Sequence, residues 1–91
     1  MSSTTCEEAV YAALETVKNV PRSASIDSSL TRDLGLESID IVDLFFEIEQ
    51  ATGTVIEINQ LLSQAQAKSS GRRFEDISIQ DVVDFLASHP S

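Results

Sequence analysis

Ser38 stands in the run Asp33-Leu34-Gly35-Leu36-Glu37-Ser38-Ile39-Asp40, where the residue types of this 91-residue sequence come closest to chemistry. A serine hydroxyl can be a nucleophile or a point of attachment. The first use needs a general base within hydrogen-bond reach, normally a histidine held by a third group. The sequence has one histidine, His89, followed by Pro90 at the carboxyl end, a poor position for a triad member. Fifteen acids could supply paired carboxylates, but on a solvated helix face nothing desolvates them to suit proton transfer. They also lack the His and Cys company of a catalytic metal site. No catalytic residue and no metal ligand is expected. Attachment remains. A serine that opens a helix projects where free backbone N–H groups and the positive end of the dipole favour an anion. A phosphate ester on its oxygen would be stabilised there by roughly 0.3–1 kcal/mol. Gly35 permits the turn that presents the hydroxyl to another enzyme. On position alone, a plain helix N-cap is the better account of Ser38.

The elements that would position this serine read as helices. Residues 4–18 carry Cys6, Ala9, Val10, Ala13, Leu14 and Val17 on one stripe, the i, i+3, i+4, i+7 pattern of a buried helix face. Thr4 with Glu7, or Thr5 with Glu8, offers a capping box, and Asn19-Val20-Pro21 ends the helix, because proline disfavours helical geometry in the residue before it. Residues 19–37 are rich in serine yet spaced with Ile26, Leu30, Leu34 and Leu36, so this connection is expected to pack across the other elements. Residues 38–52 form the second helix, with Gly53 as C-terminal cap. It has a core stripe of Ile41, Leu44, Phe45 and Ile48, and a second apolar stripe of Ile39, Val42 and Phe46. At about 100° per residue, the second stripe lies between the core stripe and an acidic one formed by Asp40, Asp43 and Glu47. A bundle helix needs one buried stripe, so the second is expected to be partly exposed. Thr54 to Ile58 reads as extended and buried on one side. Residues 59–68 form a third helix around Leu61, Leu62 and Ala65, and residues 79–88 a fourth, capped by Ser78 with Asp81 at N3. The polar break between them holds Arg72-Arg73, read with Lys68 as a solubilising loop tip or, as the sharper alternative, a contact for a dedicated partner, and Phe74 and Ile77 return the chain to the core. The fold class is therefore all-α, a small four-helix bundle over residues 1–91.

Bulk properties narrow the partners. Six bases against fifteen acids give a net charge of −9, which excludes nucleic acid as a natural ligand because phosphate neutralisation needs clustered cations. Between Asp33 and Glu49 there are six acids and no base, a docking face for a cationic partner. The one cysteine, Cys6, excludes an internal disulfide and a thiolate metal cluster. With no basic-then-apolar leader and no apolar run of spanning length, a cytoplasmic, monomeric protein without a membrane span is expected.

The run Asp-Leu-Gly-Leu-Glu-Ser-Ile-Asp, followed by Ile-Val-Asp-Leu, closely resembles the modification motif of acyl carrier proteins, Asp-Leu-Gly-x-Asp-Ser-Leu. The resemblance is strongest from Leu30 to Gly53 and extends more weakly over most of the chain. It implies a protein that is not an enzyme. Ser38 would carry a covalently attached 4′-phosphopantetheine arm, placed there by a phosphopantetheinyl transferase, and the thiol of the arm would hold acyl groups as thioesters for acyl synthases and acyltransferases with basic docking patches. Asp33, Gly35 and Glu37 would be motif residues flanking Ser38. Asp40, Asp43 and Glu47 would supply acidic contacts to partners, and Ile39, Val42 and Phe46 apolar ones. The family tucks its acyl chain between helices, which would make Phe45, Ile48, Ile56, Leu61 and Leu62 lining residues. Glu37 and Ile39 replace the family's usual aspartate and leucine, and the segment from Asn59 to Asp76 is longer than the usual connection into the last helix. The implied function is acyl carriage in fatty acid or specialised lipid biosynthesis. A polyketide-type carrier is the alternative and, from a different class, an unmodified acidic helical adaptor for a basic protein.

Overall fold

A computed structural model describes residues 3–88. Among them are four α-helices, α1 (Ser3–Lys18), α2 (Ser38–Thr52), α3 (Ile58–Lys68) and α4 (Ile79–Ser88), and a 3-10 turn at Phe74–Asp76. The all-α expectation holds, with no strand among the described residues and one isolated bridge between Ser29 and Ser78. Helix α1 packs against both α2 and α4, and α3 packs against α4.

The stripe read in α1 faces this junction, with Cys6, Val10, Ala13 and Leu14 buried. The helix is already formed at Ser3, so Thr5 lies inside its first turn and not at a cap. The side chain of Thr4, the other expected cap, lies outside the described residues, as do His89 and Pro90. Helix α1 ends at Lys18, directly before Asn19-Val20-Pro21 as read, and its last turn is closed by Asn19. Asn19 adopts the left-handed conformation at φ 58° and donates its N–H to Glu15 O at 3.0 Å, and asparagine is among the few residues that tolerate that region.

The long 19–37 connection packs as expected. Leu30 and Leu36 are buried, and Ile26 and Leu34 pack half-buried against the core. Beyond α2, Thr54 and Ile56 are buried while Val55 is exposed, the alternation read from the sequence. Helix α4 is capped by a reciprocal pair: Ser78 N–H donates to Asp81 Oδ2 at 2.9 Å and Asp81 N–H donates to Ser78 Oγ at 3.2 Å. This satisfies two of the N–H donors that a helix start leaves unpaired.

One expectation about the polar break is overturned. Arg72 is not part of a solvated loop tip, whereas Lys68 is exposed as read. Lys68 pairs with Asp84, and the Arg72 guanidinium reaches both Asp81 and the Asp76 carbonyl oxygen, the latter at 2.7 Å. The Asp81 carboxylate is nearly inaccessible to solvent. A buried carboxylate is costly without a cationic partner, and Arg72 supplies it. Arg73 alone of the three is exposed without such a role for its side chain in the described residues.

Candidate functional site

The site is built where the connection turns into α2. Asp33 Oδ2 accepts the Ser29 N–H at 2.8 Å, and Asp33 N–H returns to Ser29 O at 3.1 Å. This closes the 29–34 turn. Gly35 follows at φ 72°. A Cβ there would meet nothing within 4 Å, so the need for glycine is set by the backbone, which L-residues enter only at a cost of roughly 1–2 kcal/mol. Leu36 then dives into the core, with its N–H bonded to Leu30 O at 2.9 Å.

The N-cap of α2 is Glu37, not Ser38. Asp40 Oδ2 accepts the Glu37 N–H at 3.0 Å, and Asp40 also lies 3.5 Å from Lys18 Nζ at the end of α1. The backbone hydrogen bond from Glu37 is the main cause that holds the Asp40 carboxyl below the usual aspartate range; partial desolvation opposes it and Lys18 adds to it. Ser38 is the first residue of the helix proper and is exposed. Capping is thus assigned to its neighbours, and the serine is left at the position where first-turn N–H groups and the helix dipole favour an anion.

Helix α2 presents three adjoining bands. The core band is Ile41, Leu44 and Ile48, all buried. The second apolar stripe is open to solvent, with Ile39 67%, Val42 66% and Phe46 57% exposed. These exposures match a surface that the core does not require. The acidic band lies on the far side of that stripe. Its Asp43 is exposed, its Glu47 sits half-buried along α1 beside Ala9, Ala12 and Thr16, and its Asp40 is engaged as above. Of the acids read as a docking face, Asp43 and Glu47 have no described ion pair, whereas the carboxylates of Asp33 and Asp40 are committed to the turn and the cap.

On the other side of the exposed stripe lies a pocket of about 360 Å³, lined by Ser38, Ile41, Val42, Phe45, Ile56, Ile58 and Phe74. Its size falls in the range of small-molecule sites, and its lining is apolar as such sites usually are. Of the expected lining residues, Phe45 and Ile56 are there. Ile48 and Leu61 are instead fully buried in the core, and Leu62 packs against it. The sequence placed Ile41 in the core stripe and Ile58 at the end of the extended stretch, and named neither as lining. Phe74, read with Ile77 as the return of the chain to the core, packs against that core, but with no periodic signal it was not marked as lining. Among the described residues no group of His, Cys, Asp and Glu could hold a metal ion, and no helix is long and apolar enough to cross a membrane.

Comparison with known proteins converges on the same segment. Residues 8–69 match a family model described as "Phosphopantetheine attachment site". The chain is also 34% identical over 80 residues to an acyl carrier protein of Campylobacter hominis, an alignment that covers 88% of this chain and 86% of that protein.

Proposed function

From the premise that this chain belongs to the acyl carrier protein family, we propose that Ser38 bears its 4′-phosphopantetheine arm and that the protein delivers acyl groups in fatty acid or specialised lipid biosynthesis. The family is one of carriers and not of catalysts, and its prosthetic group is attached covalently. The observation that carries the reading is the position of Ser38: exposed, first in α2, and at the meeting point of the apolar pocket and the exposed stripe.

The residues present fit the group. The αL turn at Gly35 and the Glu37–Asp40 cap hold the serine outward, and the helix start favours the negative charge of a phosphodiester. When bound, the arm supplies a thiol that holds the acyl chain as a thioester. In the attachment step Ser38 Oγ would form a P–O bond to the pantetheine-side phosphorus of coenzyme A, the pyrophosphate P–O bond would break with adenosine 3′,5′-bisphosphate as the leaving group, and the hydroxyl proton would pass to a base of the transferase. The apolar pocket beside Ser38 receives the acyl chain. Ile39, Val42 and Phe46 provide the apolar contacts to a transferase, an acyl synthase or an acyltransferase. Asp43 and Glu47 draw the basic patches of those enzymes, and the negative charge of Asp33, Glu37 and Asp40 adds to the same field while their geometry presents the serine. Contacts of this kind are fast and sensitive to salt, which suits one face meeting several enzymes in turn. A monomeric cytoplasmic carrier fits this use.

Incubating the apo protein with coenzyme A and a broad-specificity phosphopantetheinyl transferase should raise its intact mass by one phosphopantetheinyl group. Ser38→Ala should abolish the gain. A wild-type protein that gains no mass, or a Ser38→Ala protein that still does, overturns the assignment.

A further inference from the structure

The segment from Asn59 to Asp76 leaves the pocket with α3 and returns to it at one residue. Of the lining side chains, Ser38, Ile41, Val42 and Phe45 belong to α2, and Ile56 and Ile58 to the stretch that leads into α3. Phe74 alone comes from beyond α3, on the 74–76 turn. Its ring is half-buried and packs against the core. It is therefore a wall supplied by an element independent of the other two.

That turn is fixed on both sides. Toward the 29–34 turn, Arg32 Nη2 donates to Asp76 Oδ1 at 2.9 Å, Ser29 Oγ donates to Glu75 O, and Leu30 N–H donates to Ile77 O at 2.9 Å. Toward α4, Arg72 bridges the Asp76 carbonyl oxygen and the buried Asp81 carboxylate. Within the turn, Arg73 N–H donates to Asp76 Oδ2 at 3.1 Å. The Asp76 carboxyl is accordingly held below the usual aspartate range, first by the Arg73 N–H and then by Arg32. With the backbone clipped in this way, the volume at this wall is decided by the Phe74 side chain itself.

We infer that Phe74 is a specificity-determining residue of the acyl pocket: its ring sets the longest acyl chain that the domain shields from water. The inference rests on the carrier reading above. An alkyl chain gains burial with each methylene until it meets a wall. Burying about two further methylenes shifts the sequestered–exposed equilibrium by roughly tenfold, so removing this ring should be visible one or two chain lengths beyond the native limit.

The test uses apo protein on which a phosphopantetheinyl transferase installs the acylated arm at Ser38 from acyl-coenzyme A donors of increasing even chain length. The half-life of each thioester against hydroxylamine is then measured. In the wild type the half-life should rise with chain length and reach a plateau. In Phe74→Ala the plateau should move to longer chains, with the half-lives of chains beyond the native limit lengthened about tenfold. In Phe74→Trp it should move to shorter ones. Circular dichroism before loading establishes that each variant is folded, and Phe74→Leu replaces Phe74→Ala if the smaller side chain unfolds the protein. A wild-type plateau left in place by folded small and large variants overturns the inference and leaves the carrier reading intact. Wild-type half-lives that do not depend on chain length overturn the acyl use of the pocket and the inference with it. Failure to load Ser38 at all is a separate result, read from the intact mass.

Discussion

Asp40 holds two partners in this fold, the Glu37 N–H that it caps and Lys18 at the end of α1. Both favour its ionised form, and its carboxyl titrates below the ordinary value of 3.8, the backbone hydrogen bond being the larger cause. A carboxyl whose pKa is lower in the folded than in the unfolded chain contributes stability above the unfolded value. That contribution is lost as pH falls through the folded value. Asp40→Asn should therefore melt at a lower temperature than the parent at pH 7, and the gap between the two should close as pH drops below about 3.8. A gap that persists unchanged to pH 2 would mean that the charge of Asp40 does not stabilise the fold. Ser38 shows how much of this site could be read beforehand. Its exposure and the glycine turn before it were legible, because glycine has few roles ahead of a helix. The cap was not. Serine is a preferred N-cap and glutamate is not, and only the Glu37–Asp40 geometry displaces the helix start by one residue and leaves the serine to its other use.

Helix α2 is where burial and recognition are separated by angle alone. Leu44 is fully buried and Phe46, two residues on, is 57% exposed. Leu44→Ala should cost about 2–5 kcal/mol, the usual range for emptying a core position. Phe46→Ala should cost about 1 kcal/mol or less, being a surface change, yet it should slow turnover with partner enzymes. Chemical denaturation of both variants, set beside acyl-transfer rates, decides this. If Phe46→Ala unfolds as readily as Leu44→Ala, the exposed stripe is core and has no docking role. The two stripes were legible because the helical period places them unambiguously, given that a bundle needs only one. The 72–76 region was not legible, because its order comes from polar contacts between residues distant in sequence, and these leave no periodic trace. Arg72 is the clearest case. Arg72→Gln would leave the buried Asp81 carboxylate without its cation, a loss of about 1–3 kcal/mol. Denaturation that shows no loss, with Arg73→Gln as the exposed control, would return Arg72 to the solvated surface.

At the scale of the molecule, a net charge of −9 is confined to a body of about 30 × 28 × 22 Å. At 0.01 M salt the Debye length is ~30 Å, so every charge acts on every other. At 0.15 M it is ~8 Å, and only neighbours do. The neighbours in this structure are largely favourable pairs, Lys18–Asp40, Arg32–Asp76, Lys68–Asp84 and Arg72–Asp81, whereas the long-range sum is repulsion among acids. Salt should remove the repulsion first and touch the partly buried Arg72–Asp81 pair least. The melting temperature should thus rise as sodium chloride increases from 0.01 to 0.15 M, with most of the gain at the low end, where the Debye length changes fastest. The same addition should slow association with a basic partner enzyme, since the field that strains the free protein also steers the encounter. Calorimetry and stopped-flow association on one protein preparation read the two effects together. A melting temperature that falls with salt would mean that the local pairs outweigh the net charge. An association rate indifferent to salt would mean that the acids along α2 do not steer docking, and would leave the apolar stripe to account for it alone.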